Sequence, residues 1–185
     1  MIYKKEKRIL KVGSGIELKE LELHDAADIF RIINKERTYL GKWLPFVAYT
    51  KELKDTESFV NSVVNVPEEK LEYTFTIRKQ DEFIGLIGLK DTDILNKKTE
   101  IGYWLSEKEQ GKGIMTKSVN ELCNFAFTKL QMNRIQIKCA VGNTPSKNIP
   151  KRLGFKLEGV ERDGELLTGN VFTDLEVYSK LKNDG

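Results

Sequence analysis

Residues 16 to 23, IELKELEL, alternate apolar and charged side chains, the period of a strand with one buried face. The period then lengthens. In HDAADIFRIINKE, Ala26, Ile29, Phe30 and Ile33 fall on one helical stripe, with Asp25 at the position of an N-cap. A second helix is predicted from about Thr56, TESFVNSVVNV, ending near Pro67. Between the two helices TYLGKWLPF (38–46) is aromatic and apolar, and Pro45 forbids regular helix there. Three strand candidates follow on short connections, YTFTIRKQ (73–80), EFIGLIGLKD (82–91) and KTEIGYWLS (98–106), a spacing that suits antiparallel hairpins. From Gly113 the period is helical again, with Met115, Val119, Leu122 and Ala126 on one side. RIQIKCAV (134–141) alternates, TPSKNIPKRLG (144–154) is a short helix with Pro150 inside it and Gly154 as its C-cap, and FKLEGVERDG and VFTDLEVYSKL supply two closing strands. These elements predict an α+β domain. Its central sheet is mixed but mostly antiparallel, with about seven strands flanked by about four helices.

Composition narrows the class without naming a function. At 185 residues the chain suits a single domain (1–185) that needs no disulfide or metal. The net charge of +3 comes from interspersed residues, 31 basic and 28 acidic, which argues against a nucleic-acid partner. No apolar run reaches membrane length, and MIYKKEKRIL is basic but lacks the apolar core of a secretory leader. A cytoplasmic setting is expected. Cys123 and Cys139 lie in apolar patterns and read as free core thiols. His24 is the only histidine, which excludes histidine-cluster metal sites and leaves no partner for a Ser-His-Asp triad. No metal is expected, and proton chemistry falls to carboxylates, hydroxyls, water or the substrate.

One stretch carries the chemistry. EKEQGKGIMTKS (107–118) joins a strand to a helix and nearly spells two phosphate-binding motifs. As Gly-x-x-x-x-Gly-Lys-Ser it has Gly111, Lys117 and Ser118, with Thr116 in place of the second glycine; as Gly-x-Gly-x-x-Gly it fails at the same Thr116. Both motifs belong to parallel sheets of repeated βαβ units, and only one such unit is readable here. A glycine-flanked helix start is still an anion site in principle, since its first N–H groups lack partners and no Cβ blocks the approach. A plain glycine turn before a helix fits the same residues.

The stretch IGYWLSEKEQGKGIMTKSV resembles the acetyl-coenzyme A signature of the GNAT acetyltransferases, Gln/Arg-x-x-Gly-x-Gly/Ala, with Gln110 and Gly113 in place and Met115 where a small residue is usual. GNTPSKNIPKRLGF resembles that superfamily's Asn-x-x-Ser helix followed by Leu-Gly-Phe. The likeness spans about residues 14 to 182. KTEIGYWL, the LEG after Phe155 and the Asp-x-x-x-Tyr of TDLEVYS are similar to the branch that acetylates ribosomal-protein serine and alanine N-termini. The resemblance implies the GNAT fold, acetyl-coenzyme A as donor, an α-amine of a protein or peptide as acceptor, and a homodimer. It implies that the diphosphate lies on amides of Gln110, Gly111, Lys112, Gly113, Ile114 and Met115. The pantetheine arm is expected along strand 100–105, bonded to main chain near Trp104 and Leu105, with Asn143 on its amides. It also implies Glu165, nineteen residues after Ser146, as base, and Ser146 as acid to the leaving thiolate.

Each role has an alternative. Glu165 also reads as a solvated turn residue, Glu100 is a second candidate base, and Asn143 and Ser146 are ordinary helix-cap residues. Tyr103 and Trp104 read first as core packing, and YLGKWLPF as either core or a wall of the acceptor pocket. Acceptor chemistry favours the α-amine. With a pKa near 7.8 it is roughly one-third neutral at cytoplasmic pH, whereas a lysine is neutral in roughly one part in a thousand, a difference of about 3.4 kcal/mol. A small-molecule or aminoacyl-nucleotide amine is the alternative acceptor, and a non-catalytic coenzyme A-binding module the alternative class.

Overall fold

The structure, a computed structural model, describes residues 7–184; the first six residues of the basic N-terminal stretch lie outside it. Eight strands form one sheet: β1 (Ile9–Gly13), β2 (Ile16–Glu20), β3 (Tyr73–Lys79), β4 (Glu82–Asp93), β5 (Lys98–Leu105), β6 (Arg134–Ala140), β7 (Lys156–Leu167) and β8 (Val171–Leu181). Their spatial order is β1-β2-β3-β4-β5-β6-β8-β7. Five α-helices accompany them: α1 (Ala26–Lys35), α2 (Arg37–Leu40), α3 (Leu53–Val64), α4 (Ile114–Thr128) and α5 (Thr144–Arg152). Every neighbouring pair is antiparallel except β5 and β6. The class is the expected one, with two elements more than the periodicity predicts. β1 is hidden by its basic neighbours, although Leu10 and Val12 do pack against the core. Helix α2 is a single turn inside the aromatic segment ahead of Pro45.

The strand periods decide which face each helix covers. Ile101 and Leu105 of β5, Ile135, Ile137 and Cys139 of β6, and Phe75 and Ile77 of β3 pack under α4, whose Val119, Leu122 and Ala126 are fully buried. On the opposite face Leu21, Ile29, Ile33, Val60, Phe83 and Leu86 form a second cluster with α1 and α3. A bulge lets β4 serve both faces. Pairing slips between Ile77 and Arg78, so Ile84 has no partner on β3 and the alternation reverses between Phe83 and Leu86. Asp25, 3% exposed, anchors the start of α1 by accepting from Glu22 N at 2.8 Å and from Arg78 Nη2 of β3 at 2.6 Å.

The sheet is two halves joined by a short seam. β5 and β6 pair in parallel only from Lys98–Arg134 to Glu100–Gln136. Beyond that point β5 stays with β4 as far as the pair Gly85–Leu105, and β6 stays with β8 as far as Ala140–Leu175. The divergence opens a slot between Ile101–Leu105 and Ile137–Ala140.

The C-terminal half carries its own clasp. Arg134 Nη1 and Ser179 Oγ donate to Glu158 Oε1 at 2.6 and 2.7 Å, and these bonds hold the Glu158 carboxyl at about 2, below the ordinary 4.5. A carboxyl depressed by folding adds stability above its unfolded value and loses it as pH falls through the folded one. The unfolding midpoint is therefore expected to drop between about pH 4.5 and 2, and more shallowly in Glu158→Gln. Parallel acid melts by circular dichroism check this, and coincident curves would remove the clasp from the account. The effect is modest, because the Glu158 side chain is 43% exposed.

Candidate active site

At the lower end of the slot lies the turn from β5 into α4. Gly111 and Gly113 both take left-handed φ of 73°, and a Cβ on either would meet nothing within 4 Å. No side chain caps α4, and its first internal bond is Lys117 N to Gly113 O at 3.1 Å. The amides of Ile114, Met115 and Thr116 thus point outward along the helix axis with no acceptor among the described residues. Met115 leaves this cradle undisturbed, because its side chain turns sideways into the core and is 7% exposed. Lys112 Nζ rests on Glu109 Oε1 at 3.2 Å, and Lys79 Nζ on Glu109 Oε2 at 3.1 Å. Burial opposes the Glu109 charge, but the hydrogen bonds from Lys79 and Lys112 outweigh it and hold the carboxyl below its usual range. Gln110 Nε2 donates to Leu105 O at 3.3 Å. Ser118, which reads in the sequence as an ordinary first-turn residue, is fully buried.

Along β5 the main chain of Trp104 faces away from the slot. Its carbonyl would lie 2.4 Å from a Cβ built on Gly85 of β4. Strand alternation therefore turns the peptide groups of Tyr103 and Leu105 toward the gap. Of the two expected main-chain contacts, the Leu105 peptide faces the gap and the Trp104 peptide faces β4. The Trp104 indole packs edge-on against Phe83, with ring centroids 5.8 Å apart.

Helix α5 lines the other side of the slot. Asn143 Oδ1 accepts from Ser146 N at 3.3 Å, the cap its sequence predicts. Ser146 Oγ lies 3.3 Å from Tyr103 Oη and 3.3 Å from Cys139 Sγ. Pro150 shapes this cluster from one turn away. Having no N–H, it leaves the Ser146 carbonyl without its helical donor, and Tyr103 Oη donates to that oxygen at 3.1 Å. Burial pushes the Tyr103 hydroxyl well above its ordinary value and raises the Cys139 thiol as well. Sequence periodicity assigned Tyr103 to packing and Cys139 to the core; only the divergence of the two strands brings both beside Ser146.

The slot opens into a cleft of about 760 Å³. Ser146, Tyr103, Asn143, Glu100, Trp104 and Glu165 all line it. The two candidate bases differ. Glu100 accepts from Gln136 Nε2 at 3.2 Å and pairs with Lys90 at 2.9 Å, so both of its oxygens are engaged. Glu165, exposed on β7, has no hydrogen bond or ion pair among the described residues, and the Lys90 cation feels its charge. The aromatic segment forms the roof. Trp43 packs over Gly142, where a Cβ would come within 2.9 Å of the ring, and Thr168 Oγ1 of the β7–β8 turn donates to Gly41 O at 3.3 Å. Arg37 holds the segment's shape by donating to Val47 O at 3.0 Å and Thr50 O at 2.6 Å. The segment is therefore both packed and a cleft wall.

A sheet parted between two parallel strands, with a bare helix start at one end and a carboxylate-lined cleft at the other, defines a group-transfer enzyme for an extended, phosphate-bearing donor. Residues 16–156 match the acetyltransferase (GNAT) domain, and the chain belongs to that family of N-acetyltransferases. It is 31% identical over 172 residues to the ribosomal-protein-serine acetyltransferase of Escherichia coli (strain K12), covering 93% of this chain and 96% of that protein. The structure of RimL, a ribosomal L7/L12 alpha-N-protein acetyltransferase in complex with coenzyme A, superposes with a TM-score of 0.89 at 26% identity, covering 94% of this chain and 98% of the other. The microcin C7 self-immunity acetyltransferase MccE, in complex with acetyl-CoA and AMP, superposes with a TM-score of 0.85 at 31% identity, covering 92% and 94%. Among the described residues no helix is long and apolar enough to cross a membrane, and no group of three or more His, Cys, Asp or Glu side chains is placed to hold a metal.

Proposed function

We propose that this protein transfers the acetyl group of acetyl-coenzyme A to the α-amine of a protein N-terminus, a ribosomal protein being the leading class of acceptor. The observation that carries the reading is that Glu165 and Ser146 line one cleft that runs into the slot between β5 and β6. The donor's diphosphate rests on the amides that open α4, and its pantetheine arm follows the open edge of β5. The acceptor amine enters beneath Trp43 and attacks directly. Glu165, exposed and uncommitted, takes the amine proton itself or through water. Ser146 supplies a proton toward the departing thiolate, with Tyr103 holding its hydroxyl in place. A main-chain N–H at the end of β5 stabilises the oxyanion. This proposal includes a homodimer in the cytoplasm. Leu157, Val160, Val171 and Phe172 of the edge hairpin β7–β8 are each more than half exposed, apolar surface open to a second copy, and light scattering of the purified chain tests it.

The deciding experiment incubates the enzyme and acetyl-coenzyme A with a deacetylated extract and maps the acetyl groups by mass spectrometry. Acetylation at protein α-amines is expected, and label confined to lysine side chains or small amines would overturn the N-terminal reading. A second reading, an aminoacyl-nucleotide acceptor, draws support from the AMP bound by MccE and from the half-buried Trp43 above the cleft. Including an aminoacyl sulfamoyl adenosine in the assay separates the two.

A further inference from the structure

The donor turn and the roof of the acceptor cleft are tied together by one side chain. Glu36 stands between α1 and α2, where the helix breaks at φ −115° and ψ 28°, immediately ahead of the segment that carries Trp43 and Phe46 over the cleft. Its carboxylate reaches the end of β5. Ser106 Oγ donates to Glu36 Oε1 at 2.6 Å, and Glu107 N donates to Glu36 Oε2 at 2.9 Å. Ser106 is fully buried, so Glu36 is what satisfies its hydroxyl. One turn further along, the Tyr39 side chain of α2 lies near that of Gln110, the residue that opens the donor turn. Gln110 in turn holds Leu105 O, at the open edge of β5. Glu36 itself lies outside the cleft lining.

We propose that Glu36 is a positioning residue that couples the donor turn to the acceptor roof. It fixes Ser106 and Glu107 in register with α2, so a donor that orders the turn also orders the segment bearing Trp43. Acceptor binding is then stronger on the donor complex than on the free enzyme, and donor binding is stronger on the acceptor complex by the same factor. The inference rests on the proposed placement of the two substrates at opposite ends of the slot.

The test compares the wild type with Glu36→Ala and Glu36→Gln, at a temperature where thermal melts show all three folded. Three quantities are read: coenzyme A affinity by calorimetry, and the KM of acetyl-coenzyme A and of the acceptor in steady state. Glu36→Ala is expected to weaken coenzyme A binding roughly tenfold, the worth of one charge-assisted hydrogen bond, and to raise the acceptor KM by a similar factor while kcat changes little. Glu36→Gln is expected to recover most of both, since its amide oxygen can accept from Glu107 N and its amide nitrogen can donate to Ser106 Oγ. A purely structural role predicts a lower melting temperature with both affinities unchanged, and that result overturns the inference. Weaker donor binding with an unaltered acceptor KM also overturns it, by removing the coupling. Failure of the wild type to bind coenzyme A would sink the donor placement itself, which keeps the two failures apart.

Discussion

Replacing Glu165 with Gln is expected to lower kcat by about a hundred- to a thousandfold while leaving the KM of acetyl-coenzyme A within about twofold, the range for losing a general base. The substitution keeps the size of the side chain and removes its negative charge and with it its ability to take a proton. Glu165 is exposed and unpaired among the described residues, so no folding cost accompanies the change. Glu100→Gln is the matched control. Its carboxylate is held by Lys90 and Gln136, and breaking that pair is expected to alter kcat by less than about tenfold, with some loss of stability. Steady-state kinetics on an N-terminal peptide decide between them. Undiminished turnover in Glu165→Gln would end its candidacy, and a large loss in Glu100→Gln alone would move the role to β5. Normal coenzyme A affinity in a wild type that acetylates no amine would favour the non-catalytic module.

The contrast between the two glutamates shows what a sequence can carry. Fold class follows from period: β3, β4, β5 and α4 lie within a residue or two of where alternation and helical spacing place them. The turn at Gly111 and Gly113 is legible because a left-handed backbone selects glycine. The separation of β5 from β6 is not. It arises because β5 keeps its bonds to β4 and β6 its bonds to β8, and no local pattern records which partner a strand keeps when it must lose one. Everything that depends on the slot was hidden with it. Tyr103 alternates with Ile101 and Leu105 and so reads as core, yet its hydroxyl ends between Ser146 and the carbonyl that Pro150 leaves unpaired. Glu165 had only a family spacing to single it out, whereas its uncommitted carboxylate is a fact of three dimensions. At Met115 the side chain is buried, and a helix-start amide points along the axis whatever its side chain does.

Gly113→Ala is expected to raise the KM of acetyl-coenzyme A about a hundredfold, roughly 2.7 kcal/mol of lost donor binding, with kcat at saturating donor within about threefold. Two costs must be separated. The first is backbone strain: Gly113 sits at φ 73°, and an alanine held there costs about 1 to 2 kcal/mol of folding stability, a fall in melting temperature of only a few degrees for a chain of this size. No steric term adds to it in the free protein, because the new Cβ would meet nothing within 4 Å. That openness is the basis of the second cost. Space that is unobstructed in the protein alone is space a diphosphate can occupy, and a methyl group placed there would meet the ligand. Gly111→Ala carries the same φ two residues earlier, beside equally open space, so in either variant a loss of donor affinity beyond what its melting temperature reflects measures contact with the diphosphate. Equal donor affinities in the two variants and the wild type, each with a slightly lowered melting temperature, would show that the diphosphate lies elsewhere and that the glycines serve the turn alone.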